Sequence, residues 1–315
     1  YNSYLWVSVE DEAIQATNDD ATACKRCAVE LGYWQDDYIR YFAKHADRKA
    51  PEINRGYFAR VRAFEMFIHQ FLERCGTKCQ IVNLGCGYDT LFWRLRDTTQ
   101  AISDFIEVDF PSVVAKKTRT IMRNRRLLEK ISSEDGEVSI RAGDLHGAGY
   151  RMLGCDLRCQ ADVTRKLLPA LDPAKPTLLL AECVLVYLEL SAGDALVAAL
   201  AGAVQRGALL LYEQVALDDR FGGVMRQALR ARGAALAGAV QGTEASAKRL
   251  KEAGWARALA WDMCTVWAAL PASERARVET LEPLDEAELL SQLHKHYAIT
   301  LATNGDLFAD MDLHA

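Results

Sequence analysis

An open, doubly wound α/β sheet, mostly parallel, is the fold class this sequence predicts, and three observations predict it. Apolar runs of strand length recur along the chain, with helical or irregular segments between most of them. The runs are nearly continuous in apolar residues, the mark of strands buried on both faces. The first run ends in two glycines, Gly85 and Gly87, just where an amphipathic segment begins. In sheets of this kind ligands bind at the carboxyl ends of the strands.

Residues 1–50 read as helical and polar, without an evident strand. From Tyr57, apolar side chains recur at Phe58, Val61, Phe64, Ile68, Phe71 and Leu72, a helical period with one buried stripe. That helix is expected to end near Cys75-Gly76, with the glycine as its stop. Strands are expected at 79–85, 104–110, 150–157 and 177–188, the last being the most apolar. A fifth, 208–215, follows a helix that opens with Ser191 and Asp194 at capping-box-like spacing. Residues 217–283 change character and read as helices broken near Gly242 and Gly254, an inserted helical cap. Asp285 as N-cap with Glu288 three residues on predicts another helix, and the alternating YAITLATNG a final strand. The expected organisation is an N-terminal helical extension (1–75), an α/β core (76–216), the cap (217–283), and a closing helix and strand (284–315).

Half of the 315 residues are hydrophobic and 26% are charged, an ordinary globular balance. The 38 basic and 43 acidic side chains give a net charge of −5, which argues against a nucleic-acid binder. No apolar stretch reaches membrane-spanning length, and the first residues lack the pattern of a signal peptide. Nine scattered cysteines do not make a dense, even disulfide framework, so a reducing compartment, the cytoplasm, is expected. Cys24 and Cys27 have CxxC spacing, but no second ligand pair has finger spacing. They are read as structural or incidental, and no metal site is expected.

The strand ends carry the chemistry. Gly85 and Gly87 permit close approach of a ligand, or serve only a tight turn. Thr90 stands where a dinucleotide fingerprint needs its third glycine, and no lysine follows at P-loop spacing, so a pyrophosphate is disfavoured. Asp109, about twenty residues beyond, suits ribose hydroxyls or caps the helix at Pro111. Asp156 suits an adenine amino group or a turn. Glu182 sits in an apolar run, where an acid needs a partner: a ligand, or an arginine of the chain. Together, a glycine turn and three strand-end acids suit a nucleoside without phosphate, such as S-adenosylmethionine.

The segments "CKRCAVELGYW", "RKAPEINRGYFARV", "IVNLGCGYDTLFWRL", "EVDFP", "LLLAECVLVYL" and "YEQV...DRFG" resemble the leucine carboxyl methyltransferases. "LEPLDEAELLSQLHKHYAITLAT" matches that family's end, so the resemblance spans nearly the whole chain; the 122–150 region matches least and reads as variable loops. The resemblance implies a Rossmann-like class I methyltransferase that uses S-adenosylmethionine to esterify the C-terminal leucine carboxylate of the protein phosphatase 2A catalytic subunit. It also implies roles. Lys25 and Arg60 hold the methionyl carboxylate, with Gly85 against it and Gly87 beside it in the cofactor loop. Asp109 binds the ribose, and Asp156 with Leu157 the adenine. Glu182 lies near the sulfonium or amino end, while Tyr187, with Arg60, serves the substrate end. A monomer is expected, with no nucleic-acid or membrane partner. Competing readings are a wybutosine-type tRNA methyltransferase, whose relatives carry a β-propeller extension, a small-molecule O-methyltransferase, and a non-catalytic phosphatase-binding protein.

Overall fold

The computed structural model describes residues 9–44, 47–75, 78–133 and 138–314. Gly76, expected to end the second helix, lies outside them, as do residues 1–8 and part of the 122–150 region.

Helix α1 (Val9–Glu30) and helix α2 (Pro51–Cys75) precede the sheet. The strands are β1 (Cys79–Leu84), β2 (Ile102–Asp109), β3 (Ser139–Arg141), β4 (Asp144–Gly147), β5 (Tyr150–Gly154), β6 (Thr177–Glu182), β7 (Gly207–Gln214), β8 (Arg257–Asp262) and β9 (Tyr297–Asn304). They form one sheet in the order β3-β4-β5-β2-β1-β6-β7-β9-β8. The centre, β5-β2-β1-β6-β7, is parallel, and antiparallel strands extend both edges. The order reverses at β1: β2 lies on one side of it and β6 on the other. That is the switch point at which doubly wound sheets open a crevice.

Between β1 and β2 runs α3 (Leu91–Thr98); α4 (Pro111–Arg123) and α5 (Arg125–Ile131) follow β2. A single turn, α6 (Gln160–Asp162), follows β5, and α7 (Leu190–Ala203) joins β6 to β7. The central strands are buried on both faces, and alternate side chains enter separate cores. Ile81, Phe105, Leu178 and Leu180 pack with the aromatic stripe of α2, while Val82, Ile106, Leu179 and Ala181 pack beneath α7. The near-continuous apolar runs are the sequence image of this two-sided burial.

Several boundaries differ from expectation. The apolar run 177–188 is a strand only to Glu182; Leu185–Tyr187 then form a 3-10 turn in which Leu185 and Val186 stay buried. Burial, not extension, keeps that stretch apolar. The run 150–157 likewise leaves the sheet after Gly154. Helix α7 starts at Leu190 with Glu189 as N-cap and no side-chain cap; Ser191 falls inside the helix, and Asp194 pairs with Arg249 at 2.6 Å. The helix expected to be capped by Asp285 is α12 (Ala287–Lys295), with Glu286 at the cap position and no side-chain cap bond. The 217–283 segment holds helices α8 (Arg220–Ala231), α9 (Thr243–Glu252), α10 (Met263–Ala269) and α11 (Ala272–Glu279), and also the edge strand β8. Leu250 of α9 and Ala258 of β8 enter the core beneath the sheet. Residues 122–150 include α5 and the β3–β4 hairpin, so this region builds a sheet edge as well as loops. No helix among the described residues is long and apolar enough to cross a membrane.

Candidate active site

Register aligns the chemistry. Val108 of β2 and Ala181 of β6 both pair with Leu84, Asp109 pairs with Gly154, and Glu182 pairs with Tyr212. The carboxyl ends of the parallel strands therefore form one edge, and a cavity of about 370 Å³ opens there beneath α1. Lys25, Arg60, Gly85, Gly87, Asp109, Asp156, Leu157, Glu182 and Tyr187 all line it.

Gly85 and Gly87 have φ of +59° and +50°, in the left-handed region that disfavours a side chain. A Cβ on Gly85 would run into Val184, and one on Gly87 into Asn18. Their immediate need is thus a tight turn packed against protein, and it leaves the turn open on the cavity side. Asn18 of α1 accepts the Tyr88 N–H at 2.9 Å, tying the helix to the turn. Thr90, in place of a third glycine, is buried and donates to Asp36.

At one end of the cavity sit Asp109 and Asp156. The Asp109 carboxylate accepts the N–H groups of Gly87 and Phe110, both at 2.7 Å. The N-cap of α4 is Phe110, so Asp109 does not cap that helix in the expected way. Burial pushes the Asp109 carboxyl up, and the two amide bonds pull against it. Asp156 makes the turn that was its alternative reading: it accepts the Arg158 N–H at 2.9 Å and meets that guanidinium at 2.8 Å. Arg158 reaches back to Asp11 of α1, closing this end. Turn-forming and cavity-lining coexist at Asp156.

At the other end the charges form a chain. Arg60, from the middle of α2, donates to Glu182; Lys25 lies 3.7 Å from Glu182 and 2.9 Å from Asp89. The two cations and two carboxylates balance, so four charged groups share a nearly closed space without a net charge. Burial opposes the charge on Arg60, but Glu182 together with Cys183, Tyr57 and Tyr212 more than offsets it, holding the guanidinium pKa well above its ordinary value. The Arg60 guanidinium also lies over the rings of Tyr212 (4.7 Å) and Tyr57 (5.6 Å). Tyr297 stacks on Tyr212 at 5.0 Å. Tyr187 is half-buried beside Thr17 of α1, and desolvation raises its hydroxyl pKa far above its ordinary value. The Cys183 thiol is pushed up to about 12 by burial. Neither Tyr187 nor Cys183 is ionised at neutral pH, so neither is an anionic base or nucleophile.

Sequence reasoning missed Asp89, Asn18 and the tyrosine group 57, 212 and 297, all but Tyr212 in the cavity wall. It also missed Gln214, which is 3% exposed, lines the cavity, and carries an Oε1 without a hydrogen-bond partner. Asp89 stood inside the quoted glycine loop, and Tyr212 and Gln214 inside "YEQV"; the polar residues in those motifs were the available signal. Cys24 and Cys27 fall about one turn apart in α1, and all nine cysteines are free thiols.

The family model for leucine carboxyl methyltransferases matches residues 13–201. Leucine carboxyl methyltransferase 1 of Bos taurus is 41% identical over 302 residues, covering 94% of this chain and 91% of that protein. The human tRNA wybutosine-synthesizing protein 4 is 37% identical over 304 residues, covering 93% of this chain but only 44% of that protein. Among solved structures, the S-adenosylmethionine-dependent methyltransferase SibL in its apo form is similar with a TM-score of 0.45 and 12% identity, over 80% of this chain and 57% of that one. The matched span contains most of α1, the glycine turn, Asp109, Asp156, Glu182 and Tyr187. By that match and by near full-length similarity to Leucine carboxyl methyltransferase 1, the chain belongs to the leucine carboxyl methyltransferase family.

Proposed function

We propose that this chain uses S-adenosylmethionine to methylate the α-carboxylate of a protein's C-terminal leucine, that of the protein phosphatase 2A catalytic subunit. The observation that carries the reading is the cavity's polarity: carboxylates for a nucleoside at one end, the Arg60–Glu182–Lys25–Asp89 chain at the other. Its volume of about 370 Å³ is of the size that holds a small organic cofactor. Asp109 faces a ribose, and Asp156 with Leu157 an adenine. Lys25 and Arg60 keep donors to spare for a methionyl carboxylate, and Gln214 offers an unused acceptor. When bound, S-adenosylmethionine supplies an electrophilic methyl group on a cationic sulfur.

The acceptor is a carboxylate whose pKa is about 3.5, so it arrives ionised and needs no base. The work left to the protein is to align the oxygen and to remove water from it. Tyr57, Tyr187 and Tyr297 give an apolar, water-poor wall with fixed hydroxyls. Arg60, already engaged by Glu182, steers the incoming anion without gripping it so hard that its attack is blunted. Within 217–283, Leu229, Arg232 and Ala234 reach the cavity, so α8 and the loop after it form the slot for the phosphatase tail. We read the protein as a monomeric, cytoplasmic enzyme.

The test supplies labelled S-adenosylmethionine and phosphatase core enzyme, with and without the terminal leucine. Base-labile label on the intact tail alone is the expected result. Label on tRNA instead favours the wybutosine-type reading, and no protein label removes the proposal.

A further inference from the structure

Glu213, the next-to-last residue of β7, is buried, yet it is not part of the cavity wall. Its carboxylate accepts three successive backbone N–H groups: Val184 at 3.0 Å and Leu185 at 2.9 Å on one oxygen, Val186 at 2.9 Å on the other. These amides belong to the short turn that follows β6. A single 3-10 turn cannot satisfy its own first donors, and buried unpaired N–H groups are costly. Here a side chain from the neighbouring strand takes all three.

The turn is strained where it leaves the sheet. Cys183, a residue with a Cβ, has φ of +56°. Its N–H still donates to the Tyr212 carbonyl at 2.7 Å, so the β6–β7 ladder holds up to that point and then breaks. On the far side, the Gly238 N–H donates to the Val186 carbonyl at 2.9 Å. The segment is therefore clamped between Glu213 and the loop after α8. What it carries is the methyl-transfer end of the site: Glu182 before the strained residue, then Cys183, Val184, Tyr187 and Leu188, all in the cavity wall. Val184 is also the side chain against which Gly85 is packed.

We infer that Glu213 is a positioning residue: its carboxylate sets the Cys183–Tyr187 turn, and through it the alignment of acceptor and methyl donor. The inference rests on the proposed reaction for its kinetic readout, but not for its structural one. Burial pushes the Glu213 carboxyl up to about 7, against the pull of the three amides and of Arg249 on α9. The titratable groups facing it are Arg249, which also pairs with Asp194, and Cys183 and Tyr187 of the turn. Protonation places an O–H donor against N–H donors and breaks at least one of the three bonds. Glu213→Gln does the same permanently, because its amide NH₂ must face an N–H.

The experiment compares wild type and E213Q in three ways: affinity for S-adenosylhomocysteine, kcat for methyl transfer from pH 6 to 8.5, and amide hydrogen exchange. In E213Q, product affinity is expected to stay within about threefold while kcat falls at least about tenfold, the signature of lost alignment. Exchange of the Val184–Val186 amides is expected to rise, with the central strands unchanged. The wild-type kcat is expected to climb through an acid limb near the Glu213 value of about 7, and that limb is absent in E213Q. A kcat within about twofold of wild type, or unchanged exchange in the turn, overturns the inference. If E213Q does not fold, the wild-type profile decides: a limb near neutrality supports the role, and a flat profile overturns it. If wild type labels no phosphatase, the proposed function fails alone, and the exchange data still judge Glu213.

Discussion

Asp109 illustrates what one strand-end acid has to do. It holds the glycine turn through the Gly87 N–H and its own helix entry through the Phe110 N–H, both at 2.7 Å, and still lines the cavity. A hydrogen bond to a charged group contributes about 1.5–3 kcal/mol, or roughly ten- to a hundredfold in affinity. Asp109→Asn is therefore expected to weaken S-adenosylmethionine binding by about one to two orders of magnitude, measured by calorimetry. A loss below about threefold would take the ribose role away from this residue. The position was legible in the sequence because an acid at the end of an apolar run stands out. Its bond to Gly87 was not, since nothing local brings a β2 side chain onto the loop after β1.

At the scale of elements, β2, α4 and β5 are locked by a polar group with no exposure at all. Lys117 of α4 lies 2.6 Å from Glu107 of β2, and Tyr150 of β5 donates to the same carboxylate at 2.6 Å. Lys117 also donates to the Asp89 carbonyl at 2.8 Å, so the lock bears on the loop that holds Lys25. Removing one partner of a buried pair leaves an uncompensated charge, at a cost of about 3–5 kcal/mol. Lys117→Met should lower the unfolding free energy by that order in urea titration. Lys117→Met with Glu107→Leu should recover much of the loss, because both charges are then gone; equal damage in single and double variants would contradict this account. In sequence, nothing sets Lys117 apart from the adjacent Lys116. Only the packing of α4 on the sheet distinguishes it from its exposed neighbour Lys116.

Across the whole molecule, paired acids make stability depend on pH. Burial raises the Asp89 carboxyl, but Lys25 and Arg94 outweigh it and hold its pKa well below the ordinary 3.8. A carboxylate depressed on folding contributes stability that is present above its unfolded value and is lost as pH falls through the folded one. Wild type should therefore lose stability below about pH 4, and Asp89→Asn, weaker at neutral pH, should lose less on further acidification. Parallel curves in urea titrations from pH 7 to 2.5 would refute the assignment. Glu213 has the opposite sign. Raised by burial from 4.5 to about 7, it retains a proton that the unfolded chain releases, so its contribution falls as pH rises across that window.

By itself the sequence determined the sheet, its central strands, the glycine turn and the acids at the strand ends. These follow from local pattern: apolar runs record burial on both faces, and position within a run records which end of the strand a residue occupies. Its motifs also determined the family. The tertiary structure alone decided the pairings, Lys25 with Asp89 across 64 residues and Arg60 with Glu182 across 122. It likewise decided that β8 is a strand at the sheet edge and that Glu213 holds the turn after β6. Such contacts join segments far apart in the chain, and their energy depends on distance and burial in the folded state, which no local pattern encodes.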